Sequence, residues 1–129
     1  MADKTPIYKR LIIKGLYFSK SASCTMLSSR INKSLMLTTK ILNELIEEGS
    51  VIETGLAPSS GGRRPVMYSV KPDVMNIVAV AMDQRVTRIS IVNMDQQNVQ
   101  PVVSFSLHLA DNPKALSILV KKIKEVIEM

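Results

Sequence analysis

The chain has 129 residues, 46% of them hydrophobic, and carries 17 Lys and Arg against 11 Asp and Glu for a net charge of +6. That is room for one ordinary domain or two small ones with a real core, and the basic balance favours a polyanionic partner through counterion release. No apolar run is long enough for a membrane span, Met1-Ala2-Asp3-Lys4-Thr5-Pro6 lacks the apolar stretch of a secretory signal, and the single Cys24 cannot form an internal disulfide, so the cytoplasm is the expected compartment.

Over residues 5–18 the apolar positions Ile7, Leu11, Ile12, Leu16 and Tyr17 recur at helical spacing, with Thr5 as a candidate cap and Pro6 in the first turn. Ser19 to Ser23 is small and polar and breaks the pattern. A short helix fits residues 25–31, Asn32-Lys33 reads as a tight link, and Ser34 is a good N-cap for a longer helix to about residue 48. Leu37, Ile41 and Leu45, joined by Leu42 and Ile46, predict its packed face, while Thr39, Lys40, Asn43 and Glu47 look outward. Leu35 and Met36 read as packed or partly exposed. Gly49 suits the residue just past the helix end.

Residues 51–56 and 66–70 read as two strands joined by a loop containing Pro58, Ser59, Ser60, Gly61 and Gly62, a hairpin wing. Lys71-Pro72-Asp73 is a plausible boundary. Beyond it, residues 77–82, 88–94 and 102–109 read as strands, with turns at residues 84–87 and 95–98. Asp111-Asn112-Pro113 then opens a helix whose Leu116, Leu119, Val120, Ile123, Val126 and Ile127 form one stripe, with Lys121, Lys122 and Lys124 as its solvated side. A three-strand meander with one helix is small for an independent unit. The stripe and both faces of its first strand want more partners than the chain supplies, so the chain is expected to be the N-terminal piece of a longer protein or to pair with a second copy.

The order helix, short helix, tight turn, longer helix, hairpin is that of a winged helix-turn-helix, and residues up to 73 hold eleven Lys and Arg against six Asp and Glu, a balance of +5. Within it Gly61-Gly62-Arg63-Arg64-Pro65 is the most informative stretch. Two adjacent guanidinium groups on a glycine-softened loop cannot help a core, but they suit a phosphate backbone or a narrow groove. The alternative is an exposed or interdomain salt-bridging linker. In the DNA reading the helix from Ser34 enters the major groove, Ser34 and the N–H groups of its first turn hold a phosphate, and Thr25 adds another phosphate contact. Thr39 and Lys40, with Asn43 on the same side, reach base edges or backbone, unless that side is an ordinary solvated face. Cys24 reads as a small buried side chain, and with His108 the only histidine no metal site, cofactor or Cys–His catalysis is expected.

The segments Ile41-Leu42-Asn43-Glu44-Leu45-Ile46-Glu47-Glu48-Gly49, Pro58-Ser59-Ser60-Gly61-Gly62-Arg63-Arg64-Pro65-Val66 and Lys71-Pro72-Asp73 resemble ROK-family transcriptional regulators (repressors, open reading frames, kinases), related to the N-acetylglucosamine and xylose repressors. The resemblance implies an α+β chain: a winged helix-turn-helix DNA-binding domain at residues 1–73, then a three-stranded meander and one helix at residues 74–129. The latter would open a ribonuclease-H-like, actin-like sugar domain. It also implies a homodimer on double-stranded DNA and a sugar or sugar phosphate effector acting through the rest of that domain. Sugar kinases of the family open the domain with a strand ending in Asp and a Gly-Gly-Thr phosphate loop; matching Val92-Asn93-Met94-Asp95 to the second strand puts Ala81 at the Asp and Asp83, Gln84 and Arg85 at the loop. No glycine follows Gly62, and the family's cysteine-rich zinc motif and catalytic Asp are absent, so a regulator without enzyme activity is expected rather than a kinase. A winged helix that pairs protomers instead of binding DNA is the other reading left open.

Overall fold

The computed structural model describes residues 3–58 and 61–129, so Ser59 and Ser60 of the expected wing loop lie outside the described residues. The described residues form an α+β structure with four helices and two three-stranded antiparallel sheets. It divides into two compact units, Met1–Val74 and Met75–Met129.

In the first unit α1 spans Thr5–Ser19. Thr5 is not its cap: Lys4 holds that position without a side-chain bond, and the Thr5 amide donates to the Asp3 carboxylate at 2.9 Å. Pro6 sits in the first turn, where its missing N–H costs no helical bond. Ile12 and Leu16 are fully buried, whereas Ile7 and Leu11 stay half exposed. The polar break conceals a two-residue strand β1, Ala22–Ser23, which is too short to show any periodicity.

Ser23 also caps α2, Cys24–Ile31, by accepting from the Met26 amide at 3.2 Å, which starts that helix one residue earlier than expected. Asn32 ends it in the left-handed region at φ 56°, a conformation asparagine tolerates. The Lys33 amide then donates to the Ser28 carbonyl at 3.1 Å. Ser34 accepts from the Leu37 amide at 3.1 Å and opens α3, Leu35–Glu47. Beyond its C-terminus Gly49, at φ 80°, donates to the Ile46 carbonyl and Ser50 to the Leu45 carbonyl, both at 3.0 Å, the bond pair of a Schellman end.

The buried face of α3 is Thr38, Ile41, Leu42 and Leu45, while Leu37 and Ile46 are half-buried, so the helix is turned slightly from the expected Leu37–Ile41–Leu45 line. Thr38 can occupy the core because its hydroxyl donates to the Ser34 carbonyl at 2.8 Å and is satisfied inside its own helix. The three helices pack on one another, and β3 packs on α1 and α2. Strands β2, Val51–Leu56, and β3, Val66–Val70, form the hairpin, and β1 adds to β3 to give the order β1-β3-β2. The register runs from Val51 opposite Val70 to Leu56 opposite Val66, with a bulge between Glu53 and Gly55, where Gly55 takes φ 110°.

The second unit orders β4 (Ile77–Met82), β5 (Val86–Val92) and β6 (Val103–Ser106) as an antiparallel meander. Strand β5 begins and ends two residues before the expected span because the Asp83 carboxylate closes the turn, accepting from the amides of Arg85 and Val86 at 2.7 Å each. Those two bonds hold the Asp83 carboxyl below its usual pKa. Helix α4 spans Ala115–Glu128, and its Val126 and Ile123 pack on Ile89, Ile91, Val103 and Phe105. Every residue of β4 is exposed, as are Leu116, Val120 and Ile127 of the predicted stripe, so α4 seals only part of the apolar surface.

Two outcomes test these packing claims by urea denaturation. Ile41→Ala is expected to cost about 3 kcal/mol through lost burial and a cavity. Thr38→Val is expected to cost less than about 1 kcal/mol, because the Ser34 carbonyl keeps the Thr38 amide as a donor. For Asp83, whose folded pKa is depressed, the turn contributes stability at neutral pH that is lost as pH falls through that folded value. Asp83→Ala should therefore be less stable than wild type at neutral pH and converge with it in acid.

Candidate nucleic-acid interface

Five of the seven expected contact residues lie on the α2–turn–α3 segment. Asn32 to Ser34 links the two helices, and the link is tight because Asn32 turns left-handed and the Ser28 hydroxyl donates to the Lys33 carbonyl at 2.5 Å. With the Thr38 face buried, Met36, Thr39, Lys40, Asn43 and Glu47 fall at i, i+3, i+4, i+7 and i+11 as one exposed stripe. Ser34 and Thr25 are exposed at the starts of α3 and α2. The Ser34 oxygen is already engaged by the Leu37 amide, so toward an anion it offers its hydroxyl hydrogen alongside the free amides of the first turn.

Thr39 is not a free hydroxyl. Its Oγ1 lies 3.2 Å from Cys24 Sγ, and that sulfur also approaches the Leu35 carbonyl at 3.9 Å. Cys24 is accordingly half-buried rather than buried, and it ties the first turn of α2 to α3. Sequence reading could not find this pair, since the two residues are fifteen apart and only the turn brings them together.

The cations divide into two groups. Lys9 of α1 is bound to Glu48 and lies 3.4 Å from Glu44, which raises its pKa, chiefly through the Glu48 hydrogen bond. Arg30 donates to the Gly15 carbonyl at 3.2 Å, Lys33 lies 5.4 Å from the centre of the Tyr8 ring, and Lys71 lies 3.9 Å from Asp73. Lys40, Arg63 and Arg64, like Lys4, Arg10, Lys14 and Lys20, are exposed and make no ion pair among the described residues. The arginine pair follows Gly61, at φ 93°, and precedes Pro65, whose carbonyl accepts from the Ala57 amide at 2.9 Å and closes the hairpin beneath the loop. Among the described residues no group of three or more His, Cys, Asp or Glu is placed to hold a metal ion, and no helix is long and apolar enough to cross a membrane.

Ser34→Ala is expected to lower stability by about 1 kcal/mol through loss of the α3 cap. Lys40→Ala and Arg63→Ala/Arg64→Ala are expected to leave the urea midpoint nearly unmoved, because these side chains touch nothing that holds the fold.

No family model matches the chain. It is 36% identical over 74 residues to a xylose repressor of Caldicellulosiruptor bescii, a match that covers 57% of this chain and 18% of that protein. A second relative, from Caldicellulosiruptor sp. (strain Rt8B.4) and named for the same role, is 35% identical over 74 residues, again 57% of this chain and 18% of the relative. The chain thus corresponds to under a fifth of the length of these relatives. Among solved structures it resembles a ROK family transcriptional regulator described as a homolog of the E. coli MLC protein, with a TM-score of 0.59, 18% identity, and coverage of 97% of this chain and 31% of that one. At that identity the structural likeness speaks for the fold alone. Local sequence similarity to xylose repressors and a fold shared with a ROK family transcriptional regulator thus point the same way as the resemblance read from the sequence.

Proposed function

We propose that residues 1–73 form a winged helix-turn-helix that binds double-stranded DNA, as the reading part of a cytoplasmic transcriptional repressor of sugar-metabolism genes. The observation that carries this reading is the exposed Arg63–Arg64 pair, held on a closed hairpin and without an acidic partner among the described residues. Arginines left free in this way have no role in the core and match a phosphate backbone or a narrow A·T-rich minor groove. Helix α3 supplies the major-groove element: Ser34 and the first-turn amides at a phosphate, Lys40 and Asn43 at base edges or backbone, and Thr25 at a neighbouring phosphate. The similarity to xylose repressors supports a sugar-linked operator. A homodimer on a pseudo-palindromic site, with a sugar or sugar phosphate acting through the remainder of the actin-like domain that residues 74–129 would open, completes the scheme.

The kinase alternative loses ground at the β4–β5 turn. There Asp83 already takes the amides of Arg85 and Val86, so the turn carries its own anion where a phosphate loop would offer free N–H groups. The chain is accordingly proposed to have no enzyme activity.

Fluorescence anisotropy of the chain with A·T-rich duplexes from its own promoter, across a salt series, tests the DNA reading. Wild type is expected to bind, and Arg63→Ala/Arg64→Ala to bind more weakly, with a slope of log K against log salt shallower by about 1.8 for two lost phosphate contacts. Equal slopes for the two proteins would remove the arginines from the interface.

A further inference from the structure

Met36 is 85% exposed, more than any other large apolar side chain in the described residues. It stands in the first turn of α3 and heads the exposed stripe that continues through Thr39, Lys40 and Asn43. Nothing in the fold uses it, since the packed face of α3 runs through Thr38, Ile41, Leu42 and Leu45 on the other side. The next member of the stripe is also less polar than its residue type suggests, because the Thr39 hydroxyl is engaged by Cys24 Sγ at 3.2 Å. Half-exposed Leu35 adjoins Met36 in the same turn. The leading edge of α3 is thus apolar, with a free lysine one turn behind it.

Resting on the DNA reading above, we infer that Met36 is a specificity residue that packs against the C5-methyl of a thymine in the major groove. The thymine methyl is the apolar group that base pairs display there, and it distinguishes T·A at a position where no hydrogen bond is made. The side chain suits the task, because methionine is unbranched and polarizable and adapts its contact to a small protruding methyl. Lys40, on the same stripe, supplies the attraction to phosphate that brings this edge into the groove. Thr39, exposed on the same stripe with its hydroxyl engaged by Cys24, continues the strip toward the next base pair.

The test uses the 129-residue chain and duplexes it selects from a pool with a randomised centre. Each thymine of the selected duplex is replaced in turn by deoxyuridine, which removes one methyl and changes no hydrogen bond. Wild type is expected to lose roughly fourfold in affinity at one thymine, the ratio that burial of a single methyl supplies. Met36→Ala should bind thymine and uracil duplexes equally at that position, with an unchanged salt slope, and Met36→Leu should restore part of the discrimination. The exposure of Met36 makes misfolding of these variants a poor explanation of either result. If uracil duplexes bind wild type as tightly as thymine duplexes, or if Met36→Ala keeps the full uracil penalty, the inference is overturned while DNA binding stands. If the chain retains no duplex at any salt concentration, the DNA reading falls and this inference with it.

Discussion

The rotation of α3 about its own axis decides what this molecule can present. Thr38, Ile41, Leu42 and Leu45 are driven inward by the same burial that takes Ile12 and Leu16 of α1 and Leu27 of α2 out of water. Once that face is committed, helical geometry leaves Met36, Thr39, Lys40, Asn43 and Glu47 outside. Thr38 is the sensitive point, since a polar residue at a fully buried position is tolerable only because its hydroxyl turns back to the Ser34 carbonyl. Ser34 therefore serves twice, its side chain capping the helix and its carbonyl accepting from Thr38.

Short polar residues hold the segment around this face in place. Ser23 and Ser34 cap successive helices, Asn32 turns the chain between them, and Gly49 ends the second so that β2 can begin two residues later. Lys9 with Glu44 and Glu48 then links α1 to the far end of α3. These are exposed pairs, so their contribution is modest and screened by salt, and the apolar face carries most of the stability. Their consequence is a matter of charge: Glu44 and Glu48 at the far end of α3 are partly neutralised by α1, while Lys40 and the arginine pair have no ion-pair partner among the described residues.

Much of this arrangement was legible because its signals are local. The Ser34 cap, the Gly49 stop, the hairpin strands and the outward positions Thr39, Lys40 and Asn43 follow from spacing and residue type within a few positions. Strand β1 was not legible, since two residues carry no period and their pairing with Tyr68 and Met67 is decided by the fold. Thr38 was not among the residues of the predicted packed face, because satisfaction of its hydroxyl by the backbone has no sequence signature. The early start of β5 depends on Asp83 reaching two amides, which residue type alone does not announce. Leu35 and Met36 read as packed or partly exposed, and Met36 proved almost wholly solvated, because the helix is turned toward Thr38 rather than Leu37.

The exposed apolar side chains of the first unit offer two competing surfaces. One is the leading edge of α3 beside free cations; the other is Ile7, Leu11 and Phe18 along α1, where a protein partner would dock if the winged helix paired chains instead of reading DNA. Amide chemical-shift mapping of the isotopically labelled chain on titration with an A·T-rich duplex separates them most directly. The account predicts shifts concentrated at residues 34–43 and at Arg63 and Arg64, with the Ile7, Leu11 and Phe18 amides unmoved. Shifts confined to α1, or no shifts at low salt, would contradict it.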